Sequence, residues 1–434
     1  MPVTGLTARF PSLRAFGYPA YVRIWFGAFV SNVGTWVQAI SIGVYVAETT
    51  GKAGWTGSIA ALTYLPMVFL APLGGALADR VDRRRIIVPL TVAQALGSTT
   101  LAILALVGHL PLTWVATLVF LNGCASALSA PAFNSLLTEI VAPEDLLSSV
   151  SLTSAQFNLA RTIGPMLAAA ILTTGGITFA FATNALSFLG VLIAVLTAPR
   201  PTGNPLAPVG GLWRGILDGV RVARIDPGIR LALPLVLAVA VLIAPFIGLM
   251  PAYAIKALGS DTADASRLAV AQGLGALVFA FTANAVAVRW GVRRLMTYSL
   301  LALAPVTAAY WLAPTYRLAF LALSLLGGVY IWTLTALSTT CMGRVSRERQ
   351  ARISSLYSVT LSGGYAVGLV LQGWFADRLG VRLVPTVAAG LMLAIVLVLV
   401  QRKAFRAIEA SRPFGPLAEG AGAGPSVAAA DVSE

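Results

Sequence analysis

The sequence predicts an all-α membrane protein with twelve transmembrane helices in two pseudo-symmetric six-helix bundles. Of the 434 residues, 58% are hydrophobic and only 11% are charged, whereas about 25% of residues are charged in a soluble globular protein. Most of the outer surface must therefore face lipid. Segments such as residues 384–400 are apolar on every face, whereas strands of an outer-membrane barrel alternate apolar with polar residues. The apolar segments therefore predict spanning helices.

The twelve spans follow from the spacing of the apolar segments. A transmembrane helix needs about 20 apolar residues, and glycines, prolines and charge clusters separate segments of that length. The predicted spans are residues 20–46, 54–78, 86–107, 111–137, 147–173, 177–198, 231–256, 266–288, 294–312, 316–341, 352–374 and 382–401.

One long connection divides these spans into six and six. It begins rich in proline and continues with apolar residues alternating with arginines, so we expect a flexible stretch and then an amphipathic helix on the membrane surface. The predicted domains are an N-terminal segment (1–19), an N-terminal bundle (20–198), the linker (199–230), a C-terminal bundle (231–402) and a disordered cytoplasmic tail (403–434).

The charge distribution predicts the orientation. The chain has 30 Lys and Arg residues against 16 Asp and Glu residues, a formal net charge of +14. The basic residues lie in short gaps between apolar segments, which is not the pattern of a nucleic-acid-binding protein. The termini and the connections after even-numbered spans hold about four times as many basic residues as the other connections, as the positive-inside rule expects of cytoplasmic segments. Both termini are therefore predicted to be cytoplasmic.

The two halves of the chain are internal duplicates. Residues 78–85 align with residues 287–294, and residues 142–152 align with residues 346–356. Parallel repeats of this kind are related by a two-fold axis along the membrane normal.

Two segments carry a resemblance to a known family. Residues 74–85 read GGALADRVDRRR and resemble the motif between the second and third helices of the major facilitator superfamily, with Asp82 replacing the second glycine of the pattern. The matching residues are Gly75, Leu77, Asp79, Arg80, Arg83 and Arg84. The segment NLARTIGPMLAA is similar to the helix 5 antiporter motif of that superfamily, through Gly164, Pro165, Ala168 and Ala169. With RIWFGAFVSNVGTWVQ and SAPAFNSLLTEIVAPEDLLSSVSL, these segments resemble its bacterial twelve-helix exporter branch, which includes enterobactin exporters and macrolide efflux proteins.

The resemblance implies a secondary active transporter of the bacterial inner membrane. It would export a small amphiphilic organic molecule, such as a drug, siderophore or metabolite, by alternating access with proton coupling, as a monomer. Gly75, Asp79, Arg80, Arg83 and Arg84 would form a conformational gate, with Asp79 holding the start of span 11. Spans 1, 4, 7 and 10 would border the cavity, and span 5 would face span 8. An uptake permease and a non-transporting sensor or assembly factor remain alternatives.

Polar residues on three predicted spans indicate a central cavity. Those on spans 5 and 11 occupy equivalent faces of the two repeats, and span 1 carries a further set. The predicted cavity residues are Ser31, Thr35, Gln38, Asn158, Arg161, Ser358, Ser362 and Tyr365. The alternative is that such side chains only hydrogen-bond to neighbouring helices. Trp36, Tyr330 and Trp332 are aromatic residues suited to stacking on a planar ligand.

Arg161 is the most specific of these candidates. It lies about fourteen residues into span 5, too deep for its side chain to reach either membrane surface. No acidic residue is predicted at that depth, so its charge needs other compensation. Arg161 either bonds to carbonyl groups of a neighbouring helix or selects an anionic or acceptor-rich substrate.

The proton carrier is less clearly indicated. No acidic residue falls in the middle of a predicted span, and Thr35 follows Gly34 where many relatives carry an Asp. Glu48 and Glu139 are the candidate carriers, together with Asp79. The sequence predicts no metal site, no cofactor and no enzymatic activity, because Cys124 and Cys341 lack ligand spacing and no nucleophile has a base nearby.

Overall fold

A computed structural model describes residues 11–78, 80–198, 212–259 and 262–409, and within these ranges every regular element is helical. The helices of the N-terminal half are α1 (Pro19–Thr50), α2 (Ala53–Ala78), α3 (Arg83–Leu106), α4 (Leu112–Glu139), α5 (Leu146–Thr174) and α6 (Gly176–Thr197). The remaining long helices are α7 (Leu212–Ile225), α8 (Pro227–Ala238), α9 (Phe246–Leu258), α10 (Thr262–Trp290), α11 (Val292–Trp311), α12 (Tyr316–Met342), α13 (Arg347–Leu379) and α14 (Leu383–Gln401).

Ten stretches of helix in the described residues are long and apolar enough to cross a membrane, with α8 and α9 counted as one stretch. The other two long helices of the bundles are α5 and α11, so the expectation of twelve spans is consistent with the fold. Helix α7 lies in the connection where the sequence predicts an amphipathic helix, and residues 199–211 of that connection and the tail from residue 410 lie outside the described residues.

Successive membrane-spanning helices run in opposite directions, with α8 and α9 counted as one span, so each connection between spans lies at one of two ends of the molecule. We call the end that carries residues 80–85 the basic end and the end that carries residues 51–52 the far end. At the basic end, Asp82 is the N-cap of α3, and its carboxylate accepts a hydrogen bond from the Arg84 amide at 2.8 Å. This capping bond gives Asp82 a local role where the family pattern has glycine.

The two halves pack together through two helix pairs. In the first pair, α5 meets α10: the Thr162 hydroxyl donates to the Gly273 carbonyl at 3.2 Å, and a Cβ on Gly273 would lie 3.0 Å from the Thr162 Cα. This contact confirms the expectation that span 5 faces span 8. In the second pair, α2 meets α13, where a Cβ on Gly373 would lie 2.7 Å from the Ala53 carbonyl oxygen. Small residues therefore bring the halves into backbone contact.

The seventh predicted span is broken between α8 and α9. Residues Val239–Ile243 form a turn of π-helix, with the Ala244 amide donating to the Val239 carbonyl at 2.9 Å, and Pro245 follows. The side chain of Gln372 on α13 donates to the carbonyls of Val241 and Leu242 at 2.8 and 3.0 Å. Gln372 thus satisfies carbonyl groups that the irregular turn leaves without a regular helical partner.

Candidate functional site

A small cavity of about 80 Å³ lies between the two halves. Residues of α1, α2, α4, α9 and α13 line it, so the predicted spans 1, 4 and 7 contribute as expected while span 10 does not. Spans 2 and 11 take part because they cross here: the rings of Tyr64 and Tyr365 meet edge to face, with centroids 4.8 Å apart. These tyrosines belong to opposite halves, so the cavity is sensitive to the separation of the halves.

Three aromatic side chains, Trp36, Tyr64 and Tyr365, line this cavity together with small and aliphatic residues. Trp36 lines it from α1, and Tyr330 of α12 packs against Phe246 of α9 with ring centroids 5.5 Å apart. A Cβ added to Gly248 would lie 3.1 Å from the hydroxyl of Tyr365. Such a wall suits a planar ligand whose faces and edges meet rings.

Arg161 does not itself line the cavity, but it lies next to Trp36, which does. It is 9% exposed, and its guanidinium carbon lies 5.9 Å from the centroid of the Trp36 ring, which is cation–π distance. It is also within electrostatic range of Tyr64, Tyr330 and Tyr365. Among the described residues, neither its Nε nor its Nη2 has a hydrogen-bond partner, and no acidic residue forms an ion pair with it.

Gln38, a predicted cavity residue, is not among the residues that line this cavity. Its side-chain carbonyl accepts a hydrogen bond at 3.0 Å from Asn184 of α6, whose amide also donates to Ser98 of α3 at 3.1 Å. The physical reason is the close approach of α1 and α6 at Gly34, where a Cβ would lie 2.8 Å from the Asn184 side-chain oxygen. That approach turns the Gln38 face toward the interior of the bundle.

The other predicted cavity residues are distributed differently. Ser31 and Thr35 do not line this cavity, because α1 presents Trp36, Ala39, Ile40 and Gly43 to it, and the Thr35 hydroxyl bonds back to the Ser31 carbonyl at 2.9 Å. Tyr365 does line it. Ser358 and Ser362 lie half-buried on α13 nearer the basic end. The structure does not describe the side chain of Asn158.

The helix 5 motif positions Trp36. A Cβ on Gly164 would clash with the Cβ of Trp36, so the absence of a side chain lets α5 approach α1 closely. Pro165 and Ala168 are buried and Ala169 is half-buried in the same stretch. The motif therefore holds the Trp36 ring next to Arg161, one turn earlier on α5.

At the basic end, the arginines of the loop motif make separate contacts. Arg83 forms an ion pair with Glu139 at the end of α4, with 2.5 Å between the charged atoms, and Arg84 donates to the carbonyl of Ala198. Arg80 is exposed. A Cβ on Gly75 would meet nothing within 4 Å, whereas one on Gly74 would lie 2.7 Å from the Leu128 carbonyl oxygen.

Of the two remaining candidate acidic residues, Asp79 and Glu48, the structure describes only Glu48. Asp79 lies outside the described residues, so its expected bond to the start of α13 stays a prediction. Glu48 lies exposed in the last turn of α1 at the far end.

The far end contains a polar contact between the halves that the sequence interpretation missed. The carboxylate of Asp377, near the end of α13, accepts hydrogen bonds from the Ala53 and Gly54 amides at the start of α2, both at 2.8 Å. It also forms a 3.0 Å ion pair with Lys256 of α9. A carboxylate at a helix N-terminus is stabilised by the free amides and by the helix dipole. We call this contact, with the 3.0 Å hydrogen bond from the Trp374 indole to Ser58, the far-end latch.

A signal for this latch exists in the sequence. Residues 373–382 repeat the pattern of residues 75–84: a glycine, then Ala-Asp-Arg, then an arginine at the last position. Asp377 thus corresponds to Asp79 in a second copy of the pattern, located at the opposite end of the molecule.

Comparisons with known proteins agree with this fold. A family model described as transmembrane secretion effector matches residues 11–418. The chain is 25% identical over 397 residues to the enterobactin exporter EntS of Shigella flexneri, covering 90% of this chain and 94% of that protein. It is 26% identical over 380 residues to the enterobactin exporter EntS of Citrobacter koseri, covering 86% and 88%.

Solved transporter structures share the architecture. A POT family transporter in complex with a thioalcohol-conjugated peptide superposes with a TM-score of 0.72 at 13% identity, covering 92% of this chain and 100% of that one. A bacterial homologue of the human lysosomal transporter Spinster, in an inward-facing and unoccupied conformation, gives a TM-score of 0.69 at 16% identity, covering 90% and 97%. At these identities the likeness shows the fold.

Proposed function

The chain belongs to the transmembrane secretion effector family of the major facilitator superfamily, and we propose that it exports a small amphiphilic organic molecule, such as a drug, siderophore or metabolite, by alternating access. The relatives named as enterobactin exporters support export as the direction. The helix 5 Gly-Pro motif, which packs α5 against α1, supports it as well.

One observation carries the proposal: the halves are joined at the far end by contacts that can open. The far-end latch consists of hydrogen bonds and one ion pair, and beside it Gly57 and Gly373 let the backbones of α2 and α13 approach closely. The cavity, with Trp36, Tyr64 and Tyr365 in its wall, lies between the halves on the basic-end side of this latch. Alternating access requires this combination of a site between the halves and a breakable contact on one side of it.

We assign the basic end to the cytoplasm of the bacterial inner membrane, on the positive-inside rule. The far-end latch then closes the route to the outside, which is the state in which an exporter takes up its substrate. Asp79 would hold the start of α13, near Arg352 and Ile353, when the basic end closes, with Gly75, Arg80, Arg83 and Arg84 completing the gate.

Proton coupling is part of the proposal. Glu139 is the better placed of the two candidate carriers, because protonation of its carboxylate would break the ion pair with Arg83 and loosen the basic-end loop. Glu48 is the second candidate, exposed to the opposite side.

The test is compound accumulation in a strain that lacks the gene, measured over a broad panel. We expect at least one amphiphilic compound to accumulate more in the deletion strain, with wild-type protein restoring the lower level and the Asp79→Asn variant failing to do so. Export into inverted vesicles should also stop when an ionophore removes the proton gradient. Lost uptake of a compound, with no increased accumulation of any other, would indicate a permease instead; no change for any compound would indicate a sensor or assembly factor.

A further inference from the structure

We propose that the cavity, once enlarged toward Arg161 next to Trp36, binds a planar aromatic anion, whose negative oxygens pair with Arg161 and whose ring inserts between Tyr64 and Tyr365. This inference rests on the proposed function, since the bound molecule is the exported one. It narrows the substrate from an amphiphilic compound to an aromatic carboxylate or a compound with equivalent ring-borne anionic oxygens.

The anionic part of the assignment comes from a comparison of two deeply buried arginines. Arg344 is 2% exposed, and its guanidinium bonds to the Asp226 carboxylate at 2.6 Å and to the Ile408 carbonyl at 2.7 Å. Arg161 is buried to a similar degree, but its Nε and Nη2 have no acceptor among the described residues. A buried charge needs a counter-charge or hydrogen bonds, and a guanidinium fork matches a carboxylate in geometry. A bound anion would give Arg161 the counter-charge and hydrogen-bond acceptors that the Asp226 carboxylate gives Arg344.

The aromatic part comes from the walls. Trp36 lines the cavity and lies at cation–π distance from Arg161. A ligand whose ring packs on Trp36 can therefore carry an anionic group toward Arg161. Tyr64 and Tyr365 present an edge-to-face pair at 4.8 Å. A cationic ligand is disfavoured by Arg161, and an aliphatic anion would leave the ring contacts unused.

The size of the cavity gives binding a mechanical consequence. Its volume of about 80 Å³ is smaller than the engineered cavity of about 150 Å³ that holds a benzene ring. A ligand ring therefore has to separate Tyr64 from Tyr365. Because these residues lie on α2 and α13, their separation strains the pair of helices that the far-end latch holds together, so the bound substrate itself favours opening of the far end.

The test is direct binding to the purified full-length protein in detergent, measured by calorimetry, with three small probes. We expect salicylate, an aromatic carboxylate, to bind about tenfold more tightly than either benzyl alcohol, which lacks the charge, or cyclohexanecarboxylate, which lacks the ring. The Arg161→Gln variant should lose about tenfold in salicylate affinity, and Arg161→Lys should lose less because it keeps the charge without the fork. Arg317→Gln, which removes an exposed arginine at the start of α12, is the matched control and should bind as the wild type does.

Equal affinity of wild-type protein for all three probes would overturn the inference, as would unchanged salicylate binding by folded Arg161→Gln protein. The probe comparison needs only the wild type, so it decides the matter even if the variants do not fold. Two further outcomes separate this inference from the proposed function. If salicylate binds selectively but the deletion strain accumulates no compound, the proposed export function is refuted. If the deletion strain accumulates neutral compounds but the protein shows no selective binding of salicylate, only the aromatic-anion site is refuted.

Discussion

At the scale of single residues, the two buried arginines illustrate what burial of a charge requires. Arg344 is neutralised by Asp226, which also caps α8 through the Gly228 and Ile229 amides at 2.9 Å. Arg161 makes no such bonds through its Nε and Nη2 within the described residues. Removing Arg344 leaves a buried carboxylate uncompensated, whereas removing Arg161 leaves no carboxylate of the described residues without its ion-pair partner.

The two arginines should therefore respond differently to the same substitution. We expect Arg344→Gln to lower the free energy of unfolding by about 3–5 kcal/mol, the range for breaking a buried ion pair. Arg161→Gln should change it by no more than about 1 kcal/mol in the destabilising direction. Thermal unfolding of the purified variants in one detergent measures both. A large loss of stability in Arg161→Gln would identify Arg161 as a structural clamp.

The sequence allowed the depth of Arg161 to be predicted but not the direction of Gln38. Depth follows from counting residues along a helix, and an error of a few residues leaves Arg161 buried. Direction around the axis depends on which neighbour packs on which face. Helix α1 has packing partners on several sides. The spacing of polar residues along one helix does not show that Gly34 packs against α6, which is the contact that places Gln38.

At the scale of elements, α2 and α13 form the main contact between the halves that includes the far-end latch. Along the far half of their length the two helices approach closely at Gly57 and Gly373, and the Tyr64 ring meets the Tyr365 ring. The latch could not be predicted from the spans alone, because its partners are 324 residues apart in sequence. The repeated Ala-Asp-Arg pattern was the only local signal for it.

Substitution of the latch carboxylate should open the far end. We expect Asp377→Asn to increase labelling of a cysteine introduced by Thr56→Cys, at a buried position lining the cavity, with a membrane-impermeant maleimide. The reason is that asparagine lacks the charge that pairs with Lys256 and strengthens the hydrogen bonds from the Ala53 and Gly54 amides. The control is Lys52→Cys in the exposed far-end turn, whose labelling should be the same with and without Asp377→Asn. Unchanged labelling at residue 56 in the folded variant would show that the latch does not limit access.

At the scale of the whole molecule, one carboxylate pattern occurs at each end of the α2–α13 pair. Asp377 holds the start of α2 in the structure, and Asp79 is proposed to hold the start of α13 when the basic end closes. A transporter that alternates between two closures needs the two bonds in different states of its cycle.

The two substitutions should then shift the protein in opposite directions. We expect Asp79→Asn to favour the form closed at the far end and Asp377→Asn to favour the form closed at the basic end. Each variant should transport poorly, and the double variant should restore part of the balance between the two forms. Paired labelling of Thr56→Cys and of Ser354→Cys, near the start of α13, reports on the two ends. Parallel changes at both ends in either single variant would contradict the proposed reciprocity.

The interruption between α8 and α9 has a consequence for how such a balance is transmitted. Asp226, immediately before α8, is anchored by Arg344 at the basic end, while α9 carries Lys256, which is bound to Asp377 at the far end. The two pieces of one membrane-crossing segment are thus fastened to different ends, with the π-helical turn and Pro245 between them as a joint. A continuous helix would transmit a displacement of its far end to its basic end. We expect the interruption to let α9 move with the far end while the buried Asp226–Arg344 pair keeps α8 in place in the C-terminal bundle.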